Sequence, residues 1–259
     1  MARIRLDQLL TERGLARSRA EAQALIHAGE VELDGTRRLK PGQLVAADAP
    51  IVVLEKPRWA SRAGAKLAAA LDAFEIEVAG LAALDAGAST GGFTDVLLDR
   101  GARVVYAVDV GRAQLIDRLR RDPRVVSLER TNLRELRQLP EPIDVATLDL
   151  SFISLGLVLP SVRDLLGPHG VVIALVKPQF EAGREDVPRG GVVRDPTTWR
   201  RVLEAVAEDA DSSGLAPLHV MRSPIAGGDG NVEFLMLLRA GGAPADIGAE
   251  VQAAVSPPD

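Results

Sequence analysis

Four charged side chains occupy places in this chain where charge is expensive. Lys66 lies in the helical stretch "RAGAKLAAALDAF". Asp149 closes the apolar run "IDVATLDL", Lys177 closes "GVVIALVK", and Glu233 interrupts "NVEFLMLL". An unpaired charge inside or at the end of a buried strand is costly. Exposure of strand ends to solvent would explain any one of them, and explains all four less well. Strand ends at one edge of a parallel sheet converge on a ligand crevice. Two ammonium and two carboxyl groups meeting there can neutralise one another and shift each other's pKa, the raw material of acid–base chemistry.

A second feature points to the same edge. "LDAGASTGGFTDVLLDRG", residues 84–101, sets Gly87, Ser89, Thr90, Gly91 and Gly92 directly after an apolar run and then resumes with a helical pattern. A glycine-rich turn leaving the first strand of an α/β sheet faces a nucleotide-like ligand. A dinucleotide calls for G-x-G-x-x-G to approach its pyrophosphate, and the second glycine position here is Ser89. S-adenosylmethionine has no phosphate. It needs a close backbone, a carboxylate early in the loop, for which Asp85 is placed, and an acid for its ribose, for which Asp109 in "YAVDVG" is placed. A tight turn with no ligand is the plain alternative.

These residues require a sheet to position them. Apolar runs at 81–87, 103–110, 124–130, 143–150, 170–177, 216–223 and 231–238 alternate with helical stretches such as "GGFTDVLLDRG" and "TTWRRVLEAVAEDADSSG". That alternation predicts an α/β fold with a doubly wound, mostly parallel Rossmann-like sheet. The near-continuous apolar character predicts strands covered on both faces. No helical pattern separates the last two runs, so the final pair is expected to be antiparallel. The tail 241–259 is rich in Ala, Gly and Pro and is expected to be loose, with at most a turn or two of helix in "IGAEVQAAV".

The 259 residues are 47% hydrophobic and 26% charged, with no cysteine, three histidines and a net charge of −5. Absent cysteine removes disulfides, thiolate metal sites and a cysteine nucleophile. Three scattered histidines give no zinc pattern. The N-terminus has no signal-peptide pattern and no apolar run is long enough to span a membrane, which predicts a cytoplasmic protein without stable membrane association. Charge is uneven: residues 1–60 carry ten Lys/Arg against eight Asp/Glu, net +2, and the remainder is net −7. A mildly basic head sits on an acidic body.

The head reads as a small α+β module. "RLDQLLTERGL" is a short amphipathic helix stopped by Gly14. "SRAEAQALIHAG" opens with Ser18 and Glu21 in capping-box spacing. Strand segments then flank an Asp34–Gly35 turn. Arg13, Arg17, Arg19, Arg37, Arg38 and Lys40 can gather on one side. A solvated surface is the ordinary reading of each. The functional reading is a footprint for RNA phosphates, which pair with arginine in fork geometry.

On "RLDQLL", "SRAEAQALIHAGEVELDG" and "KPGQLV" the head resembles the alpha-L, S4-like type of RNA-binding module. The motifs "SRAGAKL", "LDAGASTGGFTDVLL", "DVG", "LERTN", "DLSFISL", "LVKPQFE", "GGVVRDP" and "GNVEFLMLLR" resemble the TlyA family of ribosomal RNA 2′-O-methyltransferases, whose catalytic domain is FtsJ-like. The likeness runs to about residue 239. It implies an RNA-binding domain over 1–56, a linker over 57–63, a class I methyltransferase domain over 64–240 and a flexible tail over 241–259. It implies that Lys66, Asp149, Lys177 and Glu233 form the catalytic tetrad. By the same likeness Asp85, Gly87, Ala88, Ser89, Thr90, Gly91, Gly92, Asp109, Asn132 and Asp149 hold S-adenosylmethionine, and Arg3, Arg5, Arg17, Arg19 and Lys40 meet RNA. The family's linker more usually reads Arg-x-Trp, and here Arg58 and Trp59 are adjacent. The implied substrates are cytidine riboses of small- and large-subunit ribosomal RNA, with a link to sensitivity towards ribosome-binding peptide antibiotics.

In that chemistry Lys177 is the expected proton-removing or oxyanion-stabilising group, with Lys66 and partial burial favouring its neutral form. Three rivals share parts of the pattern. A base methyltransferase would use a cysteine nucleophile or an Asp/Asn-Pro-Pro-aromatic motif, and this chain has Asp149-Leu150-Ser151-Phe152. A nicotinamide oxidoreductase would share the sheet. A membrane-active hemolysin, a label the family has carried, would need an apolar span or a strongly amphipathic basic helix.

Overall fold

The computed structural model describes residues 3–27, 30–36, 39–53, 58–183, 185–227 and 230–256. The chain divides into two compact units, residues 1–57 and 58–259.

The first unit runs β1 (Arg3–Arg5), α1 (Leu6–Glu12), α2 (Arg19–His27), β2 (Val31–Leu33), β3 (Leu44–Ala46) and β4 (Ile51–Val53). β1 pairs antiparallel with β3, and β2 with β4. α1 ends where Gly14 takes φ +69°. Ahead of α2, Ser18 Oγ accepts from Glu21 N at 3.2 Å, while the Glu21 carboxylate accepts from Arg17 N at 2.7 Å. Asp34 and Gly35 both have positive φ, 48° and 76°, the signature of a primed two-residue turn. Beyond the turn Thr36 bridges back to Leu33, and Arg37 and Arg38 of the expected basic return lie outside the described residues. A core of Leu6, Leu9, Leu10, Ala22, Ile26, Val31 and Val45 closes the unit.

The second unit is a three-layer sandwich. In chain order it contains α3 (Gly64–Ala73), β5 (Ala82–Ala86), α4 (Gly92–Asp99), β6 (Val104–Asp109), α5 (Asp117–Arg120), β7 (Val125–Glu129), β8 (Ile143–Leu148), α6 (Leu159–Leu165), β9 (Leu166–Val176), α7 (Pro178–Glu181), α8 (Pro196–Ser212), β10 (Leu215–Arg222), β11 (Phe234–Ala240) and α9 (Gly248–Val255). Seven strands lie in the order β10-β11-β9-β8-β5-β6-β7. β5 to β9 are mutually parallel, and β11 is inserted antiparallel between β9 and β10.

The strand period of two sends alternate residues to opposite cores. Leu84, Val108, Leu148, Val172, Val176, Phe234 and Met236 pack with α6, α8 and α9. Ala83, Val105, Ala107, Ile173, Leu175 and Leu235 pack with α3, α4 and α5. This double covering is why the strands read as continuous apolar runs.

The helical turns expected in "IGAEVQAAV" form α9; the tail departs from expectation in being docked, with Val251, Ala254 and Val255 buried. Glu250 accepts from Val220 N at 2.7 Å and pairs with His219 Nδ1 at 2.8 Å, fixing the helix to the edge strand β10. An Ala-rich segment looks loose in composition, but one apolar face and one acid suffice to dock it.

Candidate active site

The four charged residues arrive at the C-terminal edge of the parallel strands. Asp149 follows β8 immediately, Lys177 follows β9, and Lys66 sits in the first turn of α3. Glu233 stands just before β11 rather than within it. The register sets Phe234 opposite Val176, so the next antiparallel pair outward is Glu233 and Lys177. Lys177 Nζ is 2.6 Å from Asp149 Oδ1 and donates to Ser151 Oγ at 3.1 Å. Lys66 Nζ donates to Glu233 Oε2. Lys66, Lys177 and Glu233 are buried and Asp149 is partly so. The site is thus two ion pairs with no net charge, which makes its desolvation tolerable.

Beside the tetrad lies a cleft of about 590 Å³, lined by Gly87, Ser89, Asp109, Asn132, Leu133, Asp149, Phe152 and others. Its volume is that of a small-molecule site. Asp109 ends β6 and braces the glycine turn: Oδ2 accepts from Ser89 N at 2.8 Å and Oδ1 from Gly111 N at 2.6 Å. Ala88 and Ser89 also line a smaller hollow with Asp109 and Glu129.

Other expected cofactor residues work from beneath or behind. Asp85 is fully buried; Thr94 Oγ1 donates to it at 2.6 Å and Thr147 Oγ1 at 3.3 Å. Burial pushes its carboxyl up to about 7, against the Thr94 hydrogen bond and with a push from the charge on Asp149. Gly91 and Gly92 face protein. A Cβ on Gly91, at φ +99°, would overlap Leu119 and Leu115, and one on Gly92 would overlap Ser61 Oγ. Gly87, at φ +86°, would collide with the Asp149 carbonyl oxygen. These glycines let the turn close onto α3, α5 and the Asp149 strand end. Thr90 is absent from the cleft lining, and its carbonyl accepts from Ile116 N at 3.3 Å. Asn132 lines the cleft while capping a short helical turn through Arg134 N.

The turn distinguishes between ligand classes. The N–H groups of Gly87, Ala88, Ser89 and Gly91 are donated to Val108 O, Val108 O, Asp109 Oδ2 and Ala88 O. A pyrophosphate cradle needs such donors turned outward. A donor molecule without phosphate does not, and the carboxylate of Asp109 with the apolar Val110, Leu133, Leu150 and Val158 suits a ribose and a base.

The sequence pattern of the FtsJ-like methyltransferases matches residues 59–240, and that of the S4 domain matches 4–51. The chain is 51% identical, over 92% of its length and 90% of the relative's, to the 16S/23S rRNA (cytidine-2′-O)-methyltransferase TlyA of Mycobacterium tuberculosis. It belongs to the TlyA family of FtsJ-like methyltransferases. Hemolysin A of Brachyspira hyodysenteriae is 38% identical over 90% of this chain and 98% of its own. A solved Streptococcus thermophilus protein, described as a candidate hemolysin, superposes with a TM-score of 0.78 at 41% identity, covering 98% of this chain and 95% of that one. The cofactor of the family is S-adenosylmethionine. Among the described residues no helix is long and apolar enough to cross a membrane, and no cluster suits a metal ion.

Two site residues escape sequence reasoning. Phe152 is 89% exposed, holds a left-handed φ of 63°, and places its ring centroid 4.9 Å from that of Phe180. A bulky residue in that region is strained, and strain gathers at working sites. Glu181 accepts from Ser154 Oγ at 2.7 Å and Leu155 N at 2.9 Å, and burial raises its pKa. With Lys177–Asp149 and Phe180–Phe152 it stitches the segment after β9 to the segment after β8. The signal was the pair "DLSFISL" and "LVKPQFE", read for Asp149 and Lys177 alone.

Of the basic residues expected to meet RNA, Arg5 and Arg19 share the buried Asp7. Arg13 donates to the carbonyls of Ala49 at 2.7 Å and Ala47 at 2.5 Å, a structural role. Trp59 packs on Gly64 within the second unit, and its indole N–H donates to Asp99 at 3.3 Å.

Proposed function

We propose that this protein transfers a methyl group from S-adenosylmethionine to ribose 2′-hydroxyls of ribosomal RNA, on cytidines as the Mycobacterium tuberculosis relative's name states for that enzyme, and that it works on ribosomal subunits in the cytoplasm. The observation that carries the reading is the meeting of Lys66, Asp149, Lys177 and Glu233 as two ion pairs beside the cleft. Bound S-adenosylmethionine supplies a methyl group already activated on a sulfonium, which leaves the chain to orient the ribose and receive a proton.

Paired with Asp149, Lys177 is an ammonium, so it first releases one proton to solvent, and its neutral Nζ then takes the 2′-hydroxyl proton as the oxygen attacks. Asp149, 2.6 Å away, stabilises the resulting ammonium, and Ser151 fixes its direction. Lys66 holds Glu233 at the register position across from Lys177, so this second pair stays neutral while the proton moves to Lys177. The exposed ring of Phe152 offers a face on which a base lifted from its stack can rest. Domain boundaries in this reading are 1–56 for the RNA-binding unit, 57–63 for the linker and 64–240 for the catalytic unit. The docked α9 is an addition to the catalytic unit rather than a free tail.

The test is labelled methyl transfer to purified ribosomal subunits, with mapping of the modified nucleotide. The expected product is an alkali-resistant linkage at a cytidine. The Lys177→Ala variant is expected to lose transfer while still binding cofactor in calorimetry. Label on a base, or sustained turnover in that variant, refutes the assignment.

A further inference from the structure

Among the described residues of the first unit one carboxylate is fully buried, Asp7, and two of its partners are arginines that face solvent. Arg5 reaches it in a fork, Nε to Oδ1 at 3.0 Å and Nη2 to Oδ2 at 2.9 Å. Arg19 Nη2 donates to the same Oδ2 at 3.1 Å, and Gln23 Nε2 at 2.9 Å. These contacts hold Asp7 well below the usual carboxylate range, chiefly through the Arg5 hydrogen bonds. Yet the side chains of Arg5 and Arg19 remain 45% and 54% exposed.

The donor count separates this cluster from an internal brace. A guanidinium has five N–H groups. Arg5 uses two of them on Asp7 and Arg19 one. Among the described residues these two cations share one anion, which leaves one positive charge over. The two guanidinium nitrogens that donate to Oδ2 stand no more than about 6 Å apart, a span that one phosphate can bridge with hydrogen bonds to each side. On its other flank Arg5 lies over Gly42, where a Cβ would come within 3.2 Å of Nη1. The pose of Arg5 is therefore set from two sides. Arg13, by contrast, gives its guanidinium to backbone carbonyls.

We infer that Asp7 is a positioning residue for RNA: its buried carboxylate presets Arg5 and Arg19 as a paired grip for a backbone phosphate. This rests on reading the first unit as the RNA-binding one. Presetting matters because a free arginine surrenders rotamer freedom when it binds, and one already held surrenders less.

The inference fixes a sign. Asp7→Asn removes a negative charge beside two arginines, so electrostatics alone makes RNA binding tighter. Loss of presetting makes it weaker. The experiment measures binding of the full-length protein to purified bacterial ribosomal subunits by filter retention between 50 and 200 mM salt, conditions over which phosphate contacts register. Asp7→Asn is expected to weaken binding about tenfold and to flatten the salt slope by about one phosphate contact. Gly42→Ala, which disturbs Arg5 and leaves every charge in place, is expected to weaken it in the same direction. In an Arg5→Ala, Arg19→Ala background, Asp7→Asn is expected to weaken binding no further, since it also removes the buried charge those substitutions leave unpaired. Equal or tighter binding by the Asp7 variant overturns the inference. So does a loss that persists in the double-arginine background, which marks a merely structural carboxylate. Failure of the wild-type protein to bind subunits instead refutes the RNA-binding reading beneath it.

Discussion

Asp85 gives the clearest quantitative expectation. Its carboxyl is fully buried and pushed up to about 7 from 3.8. A raised acid means that the folded state holds a proton that the unfolded state has released. Between pH ~4 and ~7 the folded chain binds more protons, so stability contributed by this group falls as pH rises through that window and is lost above pH 7. About three pKa units at about 1.4 kcal/mol each make the penalty for ionised Asp85 about 4 kcal/mol, an order-of-magnitude figure. Asp85→Asn keeps the shape and an acceptor for Thr94 but cannot ionise. The variant is therefore expected to gain on the wild type by about 4 kcal/mol between pH 4 and pH 8. Taking the difference cancels the titrations that both proteins share. Urea unfolding followed by tryptophan fluorescence is the assay. Trp59 and Trp199, the two tryptophans, both lie in the second unit and report its transition. A difference that stays flat within about 1 kcal/mol across this range would show that Asp85 ionises in the folded protein like an exposed acid, and the burial reasoning would be wrong.

Other expectations follow from the site. Lys66→Met leaves the buried Glu233 without its cation and is expected to cost about 3–5 kcal/mol in the same unfolding assay, with Lys66→Met/Glu233→Leu recovering most of it. Phe152→Ala is expected to lower kcat/KM for RNA about 5- to 150-fold, the range of one lost base stack, with cofactor affinity unchanged in calorimetry. Glu181→Ala removes the acceptor of Ser154 and Leu155 and is expected to lower kcat about tenfold. Glu181→Gln, which keeps an acceptor for Leu155, is expected to restore most of that activity.

The sheet was legible because buried parallel strands leave continuous apolar runs, and the runs at 103–110 and 143–150 contain β6 and β8 to within two residues at each end. The meeting of charges was legible because Asp149 and Lys177 break such runs at their ends. The glycine turn was legible as a turn, but not in its purpose. Sequence shows that Gly91 and Gly92 lack side chains, and only packing shows that Leu119 and Ser61 fill the space. Phe152 was hidden because an exposed aromatic and a buried one are the same letter, and its strain is a dihedral angle. Asp7 was hidden because "RLDQLL" reads equally as a helix start with an acid in its first turn. Nothing local says that Arg19 and Gln23, a loop away, will cover it.

The placement of β11 has one more consequence. Glu233 immediately precedes the last strand in the chain, which is slotted between two earlier ones, while its cation, Lys66, comes from the first helix of the same unit. Lys66 therefore has no Glu233 to meet until that strand is in place, whereas Lys177 and Asp149 follow strands β9 and β8, which pair directly with each other. On the proposed chemistry, a fragment ending short of that hairpin lacks Glu233 and is expected to be inert however well the rest of it folds.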